Sequence, residues 1–153
     1  MIKVLFICLG NICRSPMSEA YMRHIVKENN LENQITISSK ATSNYNIGDA
    51  PHIGTQNILT KNSIDFSNIF SEKLTQNDLL DSDYIIVMDD SNMNDVLTMK
   101  PNKKIYKLTD FIKDSKHSYI PDPYYTNNFD LTYELVSSGC DELLDFIIKE
   151  HSL

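Results

Sequence analysis

The segment from Cys8 to Pro16 combines a nucleophile, a cation and flexible residues, and reads Cys-Leu-Gly-Asn-Ile-Cys-Arg-Ser-Pro. It follows the apolar run Val4–Ile7 and precedes a stretch with helical spacing. A loop between a buried strand and a helix N-terminus can curl so that its backbone N–H groups point inward and bind an anion, which the helix dipole also attracts. Gly10 and Asn11 tolerate the unusual backbone angles that such a curl requires. The segment therefore predicts a binding loop for a phosphate-like anion.

Two side chains of this loop predict phosphoryl-transfer chemistry. Cys8 would lie at the base of the curl, where the amides and the helix dipole stabilise a thiolate. A thiolate is nucleophilic at neutral pH without a general-base histidine. Arg14 has a planar guanidinium that can bind two phosphate oxygens at once and stabilise the transferring phosphoryl group. Ser15 can donate its hydroxyl to the Cys8 sulfur, which favours the thiolate further.

A phosphate monoester also needs a proton for its leaving oxygen, and Asp122 is the candidate donor. A carboxylic acid can give that proton and then activate water as a base. The flanking Pro121 and Pro123 stiffen the backbone and would hold the acid in place. An Asp-Pro pair is also a common turn signal, so this segment alone leaves both interpretations open. Beside the Cys8 loop, we favour the catalytic one.

Strand-like and helical patterns alternate along the chain, which predicts a parallel sheet flanked by helices on both faces. Two continuous apolar runs indicate buried strands and two alternating runs indicate edge strands: Val4–Ile7, Tyr84–Met88, Ile35–Ile37 and Ile105–Leu108. Helical spacing follows the first strand, with Ser15 as the predicted N-cap and Pro16 as the first helical residue. It recurs near residues 51–61, 90–99 and 130–150.

Right-handed crossovers between these strands give a four-stranded sheet in the order 2-1-3-4. That order puts the Cys8 loop at a switch point, where ligands of such sheets bind. We predict a single α/β domain over residues 1–153, a length that one domain accommodates.

Composition narrows the possible functions. A net charge of −7 and a pI near 4.9 argue against nucleic acid or an anionic membrane as partners. The three cysteines and four histidines lack metal-binding spacing, so we expect no metal and no cofactor. No apolar run approaches the roughly 20 residues needed to span a bilayer, and no signal-peptide pattern is present. We therefore expect a cytoplasmic protein.

The segments Val4–Pro16 and Asp122–Tyr125 closely resemble the low-molecular-weight protein tyrosine phosphatases. The segments 39–43, 48–51 and 88–92 match that family as well, so the resemblance covers essentially the whole chain. It implies tyrosine-phosphorylated proteins as substrates and a metal-free reaction through a phosphocysteine intermediate. In that reaction Cys8 is the nucleophile, Arg14 binds phosphate and Asp122 is the general acid.

The resemblance also implies roles for the rest of the loop. The phosphate would be bound by the loop residues Leu9, Gly10, Asn11, Ile12, Cys13 and Ser15. Hydrogen bonds among Asn11, Ser15 and Ser39 would hold the loop, although Ser39 by itself reads as an ordinary strand-end serine. Asn68 takes the position of a histidine that supports the loop in some members. Cys13 either packs or pairs with Cys8 under oxidation, and the sequence leaves both open.

Three tyrosines are expected at the rim of the substrate pocket: Tyr45, Tyr124 and Tyr125. Tyr45 stands where many members carry tryptophan, which should alter substrate preference more than catalysis. With Ile12 as an apolar wall, these rings would form a slot that a short phosphoserine reaches poorly. The resemblance further suggests that a tyrosine kinase acts on Tyr124 or Tyr125.

Other activities on the same scaffold are less consistent with the sequence. Arsenate reductases need relay cysteines near residues 80–90, whereas none lies between Cys13 and Cys140. Arginine phosphatases typically carry threonine where this chain has Ile12. A non-catalytic phosphotyrosine-binding module would be expected to lack the nucleophile or the acid. The last two alternatives stay open at this point.

Overall fold

Four parallel strands form the sheet of the computed structural model, which describes residues 1–153, and their order is β2-β1-β3-β4. The strands are β1 (Ile2–Cys8), β2 (Ile35–Ala41), β3 (Tyr84–Val87) and β4 (Ile105–Lys107). The predicted α/β fold and its strand order are confirmed. The two central strands are the ones with continuous apolar runs, because both of their faces are covered.

Six α-helices connect or follow these strands, together with a 3-10 turn at Leu108–Phe111. They are α1 (Arg14–Glu28), α2 (Ile53–Lys61), α3 (Gln76–Asp81), α4 (Asp90–Thr98), α5 (Pro123–Thr126) and α6 (Phe129–His151). The sequence predicted four of them and missed α3 and α5, which are too short to show a helical period. A Thr75–Asp78 capping box starts α3 and was the available signal.

Two predicted boundaries and one predicted N-cap near the site were wrong. Helix α1 begins at Arg14 rather than Pro16, because the end of the loop after β1 is already helical, and Cys13 occupies the N-cap position. Ser15 does not cap the helix, since its hydroxyl lies against the Cys8 sulfur. Strand β2 continues to Ala41, so Ser39 lies within it rather than after it. An edge strand can carry these polar residues because one side remains open to solvent.

Apolar side chains pack on both faces of the sheet, which confirms the predicted layers. One face lies under α1 and α6 and buries Phe6, Met17 and Leu143. The other face is smaller and buries Ile7 against Leu79 of α3 and Val96 of α4. This double burial fixes the carboxyl ends of β1 and β3, where the loop from Cys8 begins. No helix has both the length and the apolar character needed to cross a membrane.

Candidate active site

The loop after β1 curls, with Asn11 in a left-handed conformation at φ 54°. Its carbonyl oxygens point outward and accept hydrogen bonds from other segments. The Cys8 and Leu9 carbonyl oxygens accept from the N–H groups of Thr42 and Ser43, each at 3.0 Å. The Gly10 carbonyl oxygen accepts from the Ser71 hydroxyl at 2.9 Å, and that of Ile12 accepts from His52 N–H at 2.8 Å. The N–H groups of Leu9, Gly10, Ile12, Cys13, Arg14 and Ser15 donate to no backbone carbonyl and to no side chain. Amides arranged in this way form a nest suited to an anion.

Cys8 lies at the base of the nest and is buried. Its Sγ lies 3.0 Å from the Ser15 hydroxyl and accepts a hydrogen bond from Asn11 N–H at 3.3 Å. Cys8, Cys13 and Cys140 are all free cysteines in the structure.

A hydrogen-bond network holds the loop from behind. The Asn11 amide donates to the hydroxyls of Ser15 (2.7 Å) and Ser39 (2.8 Å), and Ser39 donates to Glu19 at 2.6 Å. The Asn11 carbonyl oxygen accepts from Glu72 N–H at 3.1 Å. Burial raises the pKa of Glu19, although hydrogen bonding and charge from Ser39 and Arg23 oppose the shift.

The structure thus groups Asn11, Ser15 and Ser39 as the resemblance implied. Asn68, by contrast, makes no hydrogen bond to the loop. The side chain of Glu19 and the main chain of Glu72 complete the network instead.

Arg14 is held in one orientation across the loop. Its Nη1 donates to Asp89 at 2.7 Å and to the carbonyl oxygen of Ile120 at 2.9 Å, and its Nη2 lies 3.5 Å from Asp122. Burial by itself lowers the pKa of Arg14, but the negative charges of Cys8, Asp89 and Asp122 outweigh it and raise the pKa. A guanidinium fixed in this way can present a planar pair of donors to an oxyanion.

Asp122 lies beside the nest at the start of α5. One carboxylate oxygen caps that helix by accepting from Tyr124 N–H at 3.1 Å, and the other faces Arg14. The carboxylate is 21% exposed, so solvent reaches it. Asp122 also lines the same cavity as Cys8.

A cavity of about 310 Å³ opens above the loop. It is lined by Cys8, Leu9, Gly10, Ile12, Cys13, Arg14, Tyr45, Asn46, Asp122, Tyr124 and Tyr125. Tyr45, Tyr124 and Tyr125 are 81%, 61% and 75% exposed, and all three line the cavity. Burial, together with the charges of Asp122 and Cys8, raises the pKa of the Cys13 thiol to about 12, which keeps it protonated at neutral pH.

Three residues of this site escaped the sequence analysis. Asp89 accepts a hydrogen bond from Arg14 and caps α4 by accepting from Asn92 N–H at 2.7 Å. An aspartate just before a helical pattern indicates an N-cap, so the sequence could have pointed to Asp89. Glu19 gave no signal, because a glutamate within a helix usually faces solvent. His52 stacks on Phe129 and meets Tyr124 edge-on, and its backbone N–H binds the Ile12 carbonyl oxygen.

Comparisons with known proteins agree with this geometry. Residues 3–153 match the family model described as low molecular weight phosphotyrosine protein phosphatase. The low molecular weight protein-tyrosine-phosphatase PtpA of Staphylococcus aureus is 46% identical over 155 residues, which cover 100% of this chain and 98% of PtpA. The crystal structure of YfkJ from Bacillus subtilis superimposes with a TM-score of 0.95 at 43% identity, covering 98% of this chain and 96% of YfkJ.

A Drosophila arginine phosphatase superimposes with a TM-score of 0.89 at 30% identity, covering 95% of this chain and 98% of that one. Scaffold and site together thus define a protein phosphatase. The chain belongs to the low molecular weight phosphotyrosine protein phosphatase family. Its activity is hydrolysis of phosphotyrosine in proteins, as the resemblance implied.

Proposed function

We propose that the reaction passes through a phosphocysteine intermediate on Cys8, with Arg14 as the phosphate clamp and Asp122 as general acid and base. One observation carries this proposal. Six amide N–H groups without a protein partner, the Cys8 sulfur and the Arg14 guanidinium belong to one curled loop that lines one cavity. Such preorganised donors stabilise the charge of a transferring phosphoryl group.

In the first step, the Cys8 thiolate attacks phosphorus in line with the tyrosine oxygen. The S–P bond forms as the P–O bond breaks, and Asp122 gives its proton to the departing phenolate. In the second step, Asp122 takes a proton from water, whose oxygen attacks the phosphocysteine and releases phosphate and the thiolate. The Ser15 hydroxyl and Asn11 N–H, which are within hydrogen-bond distance of the Cys8 sulfur, stabilise that thiolate as the leaving group.

The cavity supports phosphotyrosine as the preferred substrate over phosphoserine and phosphoarginine. Ile12 presents an apolar wall, and the rings of Tyr45, Tyr124 and Tyr125 extend the slot outward. An aromatic ring fills such a slot, whereas a short phosphoserine leaves it unfilled. The alternative of an arginine phosphatase would need a polar group at the position of Ile12, so Ile12→Thr should shift activity toward phosphoarginine.

The test is turnover of phosphotyrosine, phosphoserine and phosphoarginine peptides by wild type, Cys8→Ser and Cys140→Ala, with and without chelator. Cys8→Ser should lose turnover and still bind phosphate, because the nest and Arg14 remain. Cys140 is buried in the core away from the cavity, so its substitution controls for a general effect of losing a cysteine. Turnover by Cys8→Ser would show that Cys8 is not the nucleophile. Phosphate binding without turnover in wild type would indicate a binding module.

We also propose that Tyr124 or Tyr125 is a substrate for a tyrosine kinase. Both rings are exposed at the opening of the cavity, where a bound phosphate would add negative charge beside the substrate entrance. Incubation with tyrosine kinases should modify wild type and lower its turnover, while a Tyr124→Phe, Tyr125→Phe double variant should be unaffected. Equal modification of wild type and the double variant would contradict this proposal.

A further inference from the structure

A second cavity of about 410 Å³ lies beside the phosphotyrosine pocket, and the two share Leu9 and Tyr45 as walls. Its other sides come from the end of β2, the segment before α3 and the C-terminal part of α4. We call it the side groove and define it by Leu9, Thr42, Tyr45, Lys73, Asp95 and Met99. A peptide that extends from the phosphotyrosine pocket past Tyr45 would therefore pass over the side groove.

Lys73 supplies a fixed positive charge to the side groove. Its ammonium group binds the Thr42 carbonyl oxygen, and no carboxylate lies within ion-pair distance of it. Its backbone is tied to the end of β2 by a bridge between Ala41 and Lys73. The nearby Lys40, in contrast, pairs with Glu72 and Asp78. Lys73 therefore places a positive charge without a paired carboxylate beside the phosphotyrosine pocket, in a chain whose net charge is −7.

A second observation at the same place concerns hydrogen bonding. The Thr42 hydroxyl is the one buried side-chain polar atom of the protein that has no hydrogen-bond partner. Buried hydroxyls are nearly always paired, and one that lacks a partner calls for an explanation. Thr42 lines the side groove, but its hydroxyl is buried in the structure, so the side chain must rotate about χ1 before the hydroxyl can face an occupant.

We propose that the side groove binds an acidic side chain that flanks the phosphotyrosine of the substrate. The carboxylate would pair with Lys73 and accept a hydrogen bond from Thr42, while the apolar part of the side chain lies on Leu9 and Met99. An extended peptide advances about 3.3 Å per residue, so a neighbour two or three residues away reaches across one aromatic ring. The proposal rests on the proposed function of the phosphotyrosine pocket and adds a sequence preference to it.

Asp95 lies in the same groove and makes no ion pair with Lys73. Its charge repels an acidic occupant, so it should weaken the preference that Lys73 creates. Partly exposed ion pairs are individually weak, and we therefore expect a preference of about three- to tenfold rather than an absolute requirement. The preference should shrink as salt is added, because the groove is open to solvent.

The experiment compares kcat/KM for phosphotyrosine peptides that carry Glu, Ala or Lys at each neighbouring position on either side. Wild type should favour Glu over Lys at one or two positions by about three- to tenfold. Lys73→Glu should reverse that ratio, and Asp95→Asn should increase it. Lys61→Glu makes the same charge change on an exposed lysine at the end of α2, outside the side groove, and should leave the ratio as in wild type.

Turnover of p-nitrophenyl phosphate separates this proposal from the proposed function. That substrate has no flanking residues, so Lys73→Glu should hydrolyse it like wild type. Failure of wild type to hydrolyse any phosphotyrosine substrate would contradict the proposed function. A kcat/KM ratio of one between Glu and Lys peptides in wild type, or equal ratios in Lys73→Glu and Lys61→Glu, would contradict the side-groove proposal alone.

Discussion

The loop from Cys8 to Ser15 forms the floor of the cavity and Tyr45, Tyr124 and Tyr125 form its walls, but the two parts differ in burial. In the floor, Asn11, Arg14 and Ser15 are almost fully buried, and the loop's carbonyl oxygens are bound by neighbouring segments. In the walls, Tyr45 is 81% and Tyr125 75% exposed. In the proposed reaction, the phosphate group would meet buried and supported donors, whereas the rest of the substrate would meet exposed side chains.

This difference matches two separate requirements. Stabilising a transferring phosphoryl group demands donors placed to within a fraction of an ångström, which only a supported loop achieves. Accepting different phosphoproteins demands contacts that adapt. Substitutions in the floor should therefore lower kcat, and substitutions in the walls should change KM while leaving kcat nearly intact.

The largest effect is expected from Asp122→Ala, at the border between floor and wall. Loss of a general acid lowers the rate by about 10²–10⁴-fold, and the loss should be greatest for a poor leaving group such as the tyrosine phenolate. With p-nitrophenyl phosphate, whose leaving group needs little protonation, the loss should be smaller. Asp130→Ala, in the first turn of α6, is the control. Equal losses with both leaving groups would place the acid elsewhere.

The next largest effect is expected from Asp89→Asn. This change weakens the contact that holds the Arg14 guanidinium, and misplacement of a catalytic group by about an ångström can cost roughly 10²-fold in rate. The adjacent Asp90 pairs with Lys107 at 3.0 Å and is 81% exposed, so Asp90→Asn is a matched control. Inhibition by inorganic phosphate should weaken in Asp89→Asn only. If the two variants behaved alike, Asp89 would not be positioning Arg14.

The sequence predicted the sheet well because the relevant forces are local in the chain. Continuous apolar runs mark strands buried on both faces, and the crossover rule then leaves few possible orders. The same reasoning placed Cys8 and Arg14 at a switch point, since both lie between a buried strand and a helix. Asp122 was favoured as the acid only because the Cys8 loop was present, since an Asp-Pro pair alone is also a common turn signal.

The supporting contacts could not be predicted because their partners are distant in the chain. Asp89 meets Arg14 across a separation of 75 residues, and Glu72 meets Asn11 across 61. Glu19 looks like a solvent-facing helix residue until β2 brings Ser39 against it. The N-cap of α1 was misplaced for a related reason, since the Ser15 hydroxyl is used by Cys8.

A smaller effect is expected from Tyr45→Ala, in the wall. An aromatic pair contributes about 0.5–1.5 kcal/mol, so KM for phosphotyrosine peptides should rise roughly two- to tenfold with kcat little changed. Tyr45→Phe keeps the ring and should resemble wild type. Because the ring is largely exposed, thermal unfolding should be the same in all three proteins. A fall in kcat without a change in KM would mean that the wall takes part in the chemistry.

The smallest effect on activity is expected from Glu19→Gln, which tests whether the support of the floor depends on charge. Glutamine can still accept a hydrogen bond from Ser39, so the loop should keep its shape. Burial raises the pKa of Glu19 in the folded protein above its value of about 4.3 in the unfolded chain. The stability linked to this shift is fully present below about pH 4 and is lost as the pH rises through the raised pKa.

Urea unfolding of both proteins across this pH range provides the measurement. The free energy of unfolding of Glu19→Gln, relative to wild type, should rise between about pH 4 and pH 7, because the variant no longer buries a carboxylate. A relative free energy that falls as the pH rises would show that the pair with Arg23 outweighs burial. In that case the charge of Glu19 would itself support the floor, and the loop would depend on an ion pair as well as on its neutral hydrogen bonds.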